Sequence, residues 1–408
     1  MTANATSVST TAGPAPARAA PSLLFIAQNP AFFVSHRLQL AVAARAAGYN
    51  VTVASPNGDA VAAILATGAT HRLIDLSRGS RNPLTELRSL WSILAALHEL
   101  RPNLIHVVTP KPILYGGLLA RALGIPTIVA VSGLGHVFGQ TGFAASLLKR
   151  AVGFGYRLAV NGPNSHVIFQ NRDDLAAFQR GGMMSHDRFS MLPGSGVDLK
   201  VIMPHPLPAG PTVVLLPARL IHDKGVGDFV RAARILRDGG TSAVFRLLGD
   251  PDPANPTSVT SAELAAWVAE GVVEWQPYTH DMDRALADCH IVALPSYYRE
   301  GLPKTLIDAA AAGRAAVTTD LPGCRDAIAP GETGLLCRAR DPDDLAAKLG
   351  QLIDDPALQQ RMGQAARRRA EALFDVDDIT AAHLALYSSA LDRPRRTDHP
   401  AKPSGGAA

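Results

Sequence analysis

The stretch YYREGLPKTLID, from Tyr297 to Asp308, carries the densest chemistry of the chain. It sets a carboxylate, Glu300, before Gly301 and Pro303, with a second carboxylate, Asp308, eight residues after the first. Glycine lets backbone come close to a ligand. Proline suits the first helical position, where its missing N–H is no loss. The spacing predicts a helix opening at Pro303, whose free N–H groups and dipole favour an anion. Glu300 falls in the loop before that helix. Asp308 falls about one and a half turns inside it, at roughly 1.5 Å rise per residue. This order suits a phosphate-bearing sugar: one carboxylate reaches the sugar, and the other a ribose about a phosphate pair away.

Arg219 and Lys224 add two cations at the mouth of a predicted strand, just before Gly225 and a predicted helix. Alone they read as well as a strand-end surface pair. Beside the Glu300 motif they read as a diphosphate clamp, each charge-assisted bond contributing roughly 1.5–3 kcal/mol. Two Asp-Pro-Asp triplets, Asp250–Asp252 and Asp341–Asp343, invite a metal reading. Their loop and helix-start positions favour turn and cap chemistry, so no metal is expected. Among the histidines, His36 opens the first predicted helix and His136 falls in the glycine-rich loop, both near strand ends, where clefts are lined. His106 reads as structural.

The elements that must hold these groups alternate. Ser22–Ala27 is a predicted strand, followed by a loop to Ser35 and a helix from His36 to Ala47. Strands at Val51–Ala54, Leu104–Val108 and Thr127–Val131 follow, with a helix at Tyr115–Leu123. After the proline-rich joint Pro204–Pro208 the pattern restarts. Strands are expected at Thr212–Leu216, Val244–Leu248, Val272–Trp275, Ile291–Leu294 and Ala316–Thr318, separated by helices. Unbroken apolar runs alternating with helices imply parallel sheets covered on both faces. The fold class is therefore α/β, with two Rossmann-like domains whose parallel sheets face a central cleft. The boundaries are a disordered tail at 1–21, a first domain at 22–203, a second at 204–375, a C-terminal helix at 376–391 crossing back, and a disordered tail at 392–408.

Composition sets the outer limits. At 408 residues the chain exceeds one ordinary core, and 47% hydrophobic residues support a folded protein. A net charge of +4 with interspersed acids gives no nucleic-acid footprint. Three scattered cysteines suggest a reducing cytosol and no disulfide. Residues 1–21 lack the basic start and apolar run of a signal peptide. Ala122–Leu148 lacks formal charge and raises a transmembrane question. Its glycines, Pro126, His136 and Gln140 point instead to a buried strand and a glycine-rich loop. Phe143–Arg157 mixes apolar residues with Lys149, Arg150 and Arg157, as a helix lying on an anionic membrane would. Arg367, Arg368 and Arg369 read as a solvated face.

Ala218-Arg219-Leu220, Asp223-Lys224-Gly225, Glu300–Lys304 and Thr319–Gly323 together resemble the donor domain of glycosyltransferase family 4, retaining enzymes of the GT-B fold. Phe33–Arg37, Thr109–Pro112 and Tyr115–Gly117 resemble a subgroup that builds bacterial surface polysaccharides and lipid-linked oligosaccharides. The resemblance covers about residues 22–390. It implies a metal-independent hexosyltransferase that uses a UDP-sugar and needs no cofactor. The implied acceptor is a polyprenyl-diphosphate-linked glycan at the inner face of the cytoplasmic membrane, and the implied location is cytoplasmic and peripheral. Arg219 and Lys224 would bind the diphosphate, and Glu300 would lie at the transferred sugar. The backbone of Gly301, Leu302, Pro303 and Lys304 would meet sugar and phosphate. Asp308 stands where the family has glutamate at the ribose. Asn29, Ser35, His36, Arg37, Lys111, Gly133 and His136 are the expected acceptor contacts. Another two-domain UDP-sugar enzyme, such as a non-hydrolysing epimerase, and a non-catalytic sugar-nucleotide scaffold are the alternatives. A Rossmann dehydrogenase is excluded by the lack of G-x-G-x-x-G after the first strand.

Overall fold

A computed structural model describes residues 20–77, 82–133 and 143–393 of the chain. The first domain carries β1 (Ser22–Ile26), β2 (Asn50–Ser55), β3 (Thr70–Leu73), β4 (Leu104–Val108), β5 (Thr127–Val131), β6 (Ser165–Phe169) and β7 (Phe189–Met191). They form one parallel sheet in the order β3-β2-β1-β4-β5-β6-β7. The second carries β8 (Thr212–Pro217), β9 (Ala243–Leu248), β10 (Glu274–Gln276), β11 (Ile291–Leu294), β12 (Ala315–Thr319) and β13 (Gly334–Cys337). Its parallel order is β10-β9-β8-β11-β12-β13. Helices cover both faces of each sheet, and β4, β5, β11 and β12 are buried along their whole length. Chain order reverses between β1 and β4, and again between β8 and β11. Ligands of such sheets bind outside the carboxyl ends of the strands at these reversals.

Two chain crossings join the domains side by side. Val197 N–H donates to Phe374 O at 2.8 Å, and Val376 N–H donates to Val197 O at 3.0 Å. The helix Val376–Asp392 then packs on the helix Pro30–Ala46 and on β4 and β5. It buries Tyr387 and His383 completely or nearly so.

Several elements differ from expectation. The first helix opens at Pro30, not His36, because Asn29 Oδ1 caps it, accepting from Ala31 N–H at 2.8 Å and Phe32 N–H at 3.3 Å. Ser35 and His36 therefore sit inside the helix. Pro303 is the extended N-cap of the helix Lys304–Ala311, not its first residue. The helix expected over Phe143–Arg157 is present and spans Phe143–Val160, and the glycine-rich loop expected before it falls mostly outside the described residues. Among the described residues no helix is long and apolar enough to cross a membrane. Arg367 and Arg369 lie within Pro356–Leu373 and are not a solvated face. Arg367 donates to Ala311 O at 2.8 Å and Ile202 O at 3.1 Å, and Arg369 donates to Asp326 O at 3.0 Å. Cys289, Cys324 and Cys337 are buried and free.

Candidate active site

The reversal point of the second sheet gathers the predicted donor groups. The turn Asp223–Gly225 leaves β8 and lies against the segment that leaves β11. Asp223 O accepts from Tyr297 N–H at 3.0 Å and Tyr298 N–H at 3.2 Å. Gly225 has φ +78°, and an added Cβ there would sit 2.1 Å from Pro295 O, so this close approach requires glycine. The contact delivers Lys224 to Glu300. Its ammonium donates to Glu300 Oε1 at 2.5 Å, and the Ser296 hydroxyl donates to the same oxygen at 2.9 Å. Glu300 is 9% exposed.

Arg219, the second cation, is more exposed and pairs with Asp252 Oδ2 at 2.7 Å. Half of the first Asp-Pro-Asp triplet thus holds this arginine. The second triplet caps a helix as expected, with Asp341 Oδ1 accepting from Asp344 N–H at 2.9 Å. One turn into its helix, Asp308 is buried and accepts from Lys304 Nζ at 2.7 Å. Burial raises the Asp308 carboxyl above its ordinary range, and Lys304 opposes that. Two expected donor residues therefore hold each other. Thr305, between them, donates its hydroxyl to Pro217 O at 2.8 Å and pins the helix start to the end of β8.

From the first domain, His36 comes to this site. Desolvation first, then Arg37, Lys304 and Lys224, push its imidazole down to about 3, so it is neutral near pH 7. Its Nδ1 lies 2.6 Å from Ser35 Oγ and 3.2 Å from Phe32 O. A cavity of about 790 Å³ opens at the strand ends, lined by Asn29, Val34, Asn57, Asp59 and Leu76 and by His280 of the second domain.

Three of the expected acceptor contacts also make contacts within the protein. Asn29 spends its oxygen on the helix cap. Arg37 is 3% exposed and donates from Nη1 to His36 O at 3.1 Å. Lys111 is held by Glu86 Oε1 at 2.7 Å and Ser77 O at 2.9 Å. His136 lies outside the described residues.

Gly133 meets the donor loop directly. With φ +96°, it sits where an added Cβ would be 2.6 Å from Arg299 O and 2.7 Å from Gly301 N. Backbone cannot swing aside, so Gly133→Ala must separate the two loops. We expect turnover to fall roughly 10- to 100-fold, as for an ångström-scale misplacement. Wild-type turnover in that variant would show that the loops are apart during the reaction.

The sequence reading missed the polar residues that brace this loop. Gln170 Oε1 accepts from Leu302 N–H at 2.9 Å, which corrects the expectation that this N–H faces a ligand. Asn171 Nδ2 donates to Gly301 O at 3.0 Å and Glu300 O at 3.3 Å. Both follow β6 in the first domain, and only the buried polar pair after an apolar run hinted at them.

Two doubly wound parallel sheets whose carboxyl ends share a cleft, with an acid–cation pair at the second reversal point, make up the GT-B architecture of a glycosyltransferase. The family described as Glycosyl transferase 4-like matches residues 22–168, and that described as Glycosyl transferases group 1 matches residues 200–369. In tandem they cover both domains, and the chain belongs to these glycosyltransferases. It is 29% identical over 331 residues to the N,N'-diacetylbacillosaminyl-diphospho-undecaprenol alpha-1,3-N-acetylgalactosaminyltransferase of Campylobacter jejuni, across 78% of this chain and 85% of that one. The sucrose-phosphate synthase of Thermosynechococcus elongatus superposes with a TM-score of 0.75 at 20% identity, over 90% of this chain and 98% of its own. Anabaena HepE in complex with UDP and glucose superposes with a TM-score of 0.72 at 18% identity, over 90% and 99%. These two likenesses speak for the fold.

Proposed function

We propose that the chain is a retaining, metal-independent transferase that moves a hexose or N-acetylhexosamine from a UDP-sugar to a polyprenyl-diphosphate-linked glycan. The observation that carries this is the meeting of Lys224 and Glu300 at the reversal point of the second sheet, 2.5 Å apart, with His36 of the first domain close by. The relative in Campylobacter, by its name, acts on a diphospho-undecaprenol substrate, and that supports a lipid-linked acceptor.

Sugar transfer from a nucleotide diphosphate builds negative charge on the leaving group, and stabilising that charge is the main task. Arg219, Lys224 and the N-terminus of Lys304–Ala311 supply positive potential for it. Glu300 orients the sugar hydroxyls or stabilises the oxocarbenium-like carbon. The acceptor oxygen attacks that carbon from the face the diphosphate leaves, and the departing phosphate oxygen takes the acceptor's proton. His36, neutral in the free chain, orients the acceptor by hydrogen bonding. Asp308 reaches the ribose once Lys304 turns from it to the phosphates.

The membrane assignment rests on an apolar, basic face of the first domain. Leu147 and Phe154 are 64% and 62% exposed on Phe143–Val160, beside exposed Arg150 and Arg157. Leu84, Leu87 and Trp91 are exposed on the helix Pro83–Leu100. Both helices flank Pro110–Ala122 on one side of the sheet. Such a face suits an anionic lipid surface, on the cytoplasmic side where nucleotide sugars are made.

The test is incubation of the protein with bacterial membranes, a panel of labelled UDP-sugars and EDTA. Label in the lipid extract from one sugar is the expected result. UDP release with no label in lipid would overturn the lipid-linked acceptor, and loss of transfer in EDTA would overturn metal independence.

A further inference from the structure

The residues that shape the donor loop come from the other domain. Arg299–Leu302 carries Glu300, yet its backbone polar groups are met by Gln170 and Asn171, which follow β6 of the first domain. Gln170 takes the Leu302 N–H, and Asn171 gives its amide to the Gly301 and Glu300 carbonyls. Asn171 itself is fixed from behind. Its Oδ1 accepts from Asp174 N–H at 2.8 Å, and its Nδ2 also donates to Asp174 Oδ2 at 3.0 Å. Asp174 is fully buried, and its other oxygen lies 3.7 Å from Arg299 Nη2, the residue before Glu300. The backbone is closely approached here too: a Cβ added at Gly301 would sit 2.8 Å from the Ser132 carbonyl carbon, and one added at Gly323 would sit 2.1 Å from Gly301 O.

We propose that Gln170, Asn171 and Asp174 are positioning residues for the donor loop: they set Glu300 from the acceptor-side domain, so the donor site is complete only when the two domains are together.

The physical case is one of hydrogen-bond accounting. A buried backbone N–H or carbonyl left unpaired loses its hydration with no hydrogen bond to replace it, which destabilises that arrangement. Separating the domains would strip one N–H and two carbonyls of their partners within three consecutive residues. The loop must then rearrange or take up water, and Glu300 shifts with it. None of these three side chains touches the reacting atoms. They act through the loop, which distinguishes them from Lys224 and Glu300. This proposal rests on the transferase reading for its functional half and on geometry alone for its structural half.

Two measurements on the full chain separate those halves. The first is amide hydrogen exchange. Leu302 N–H should exchange at least 10-fold faster in Gln170→Met than in wild type, while core amides of β11 and β12 stay unchanged. Gln170→Glu keeps the accepting oxygen and should retain protection. Rapid exchange at Leu302 in the wild type, or unchanged protection in Gln170→Met, overturns the latch whatever the enzyme does. The second is turnover with the donor found in the membrane assay. Gln170→Met and Asn171→Ala should lower kcat about 10-fold or more with the donor KM altered less than 3-fold, and Gln170→Glu should restore kcat. Equal loss in Gln170→Glu, or loss in KM alone, overturns the positioning role. A wild type that transfers no sugar overturns the transferase reading and leaves the exchange experiment to judge the latch.

Discussion

Replacing Lys224 with alanine is expected to cut sugar transfer roughly 100- to 1000-fold, the usual loss when one preorganised charge-stabilising group is removed. It should also destabilise the second domain by about 3 kcal/mol, because it leaves Glu300 buried without its cation and with the Ser296 hydroxyl donating to it. The two losses have different causes, and a second substitution separates them. Adding Glu300→Gln removes the uncompensated charge, so the double variant should regain most of the lost melting temperature and none of the activity. Lys224 is 17% exposed and can turn outward, so Glu300→Gln alone should be far milder for stability. A Lys224→Ala protein as stable as wild type would show that the pair does not brace the fold. One that keeps more than a tenth of its activity would remove Lys224 from the stabilisation of the leaving group.

Mild acid should weaken the contact between the last helix and the first domain. His106 and His383 stack there at 5.7 Å between ring centres, and His106 Nδ1 lies 2.6 Å from Tyr387 Oη. Burial, with Arg37 close by, pushes His383 down to about 3, and burial with His383 and Arg37 pushes His106 well below its ordinary range. Both folded values are depressed, so the stability these histidines contribute is complete above pH 6.5 and is lost as pH falls from there towards 3. At pH 5, His383 alone should cost about 2 kcal/mol, one and a half pH units below its unfolded value. Asp174 works in the opposite sense: burial raises it to about 6, so its contribution is complete below 3.8 and is lost as pH rises through 6. The clean readout is therefore a difference. Melting temperature from pH 8 to pH 5 should fall less steeply in His383→Gln than in wild type, with Asp174 common to both. Parallel curves would mean that His383 titrates alike in the folded and unfolded chain, and that its burial does not hold it neutral.

Much of the scaffold was legible because parallel strands buried on both faces have to be apolar. β4, β5, β8 and β11 stand out in the sequence for that reason. β3 and β7 do not, because an edge strand such as Thr70–Leu73 is half-polar and short. The helix Pro83–Leu100 was missed although it has an Asn82 cap, a proline start and an apolar stripe, the signals that mark other helices here. On the site, Lys224 and Glu300 were legible as types, since charges beside glycines at strand ends are rarely idle. Their mutual contact was not, because it depends on Gly225 touching Pro295 in space. The internal partners of Asn29, Arg37 and Lys111 were not legible for a related reason. Polar residues near strand ends look ready for a ligand, yet a helix cap, a buried cluster and an ion pair already use these three. Gln170 and Asn171 left only a faint local trace, a polar pair closing an apolar run, because what they bind lies roughly 130 residues away, in the other domain.

The final helix has a consequence for how the chain is made. Tyr387 and His383 belong to the core beneath the first sheet, beside Phe25, Phe33 and Ile128. A ribosome delivers the first domain's strands long before those residues emerge. Until the last turn leaves the exit tunnel, that sheet stands with one face partly uncovered, and His106 lacks its tyrosine partner. The second domain can close on itself in the meantime. The domain born first is therefore finished last, and a nascent chain stalled a few turns short should be the form that chaperones and proteases recognise.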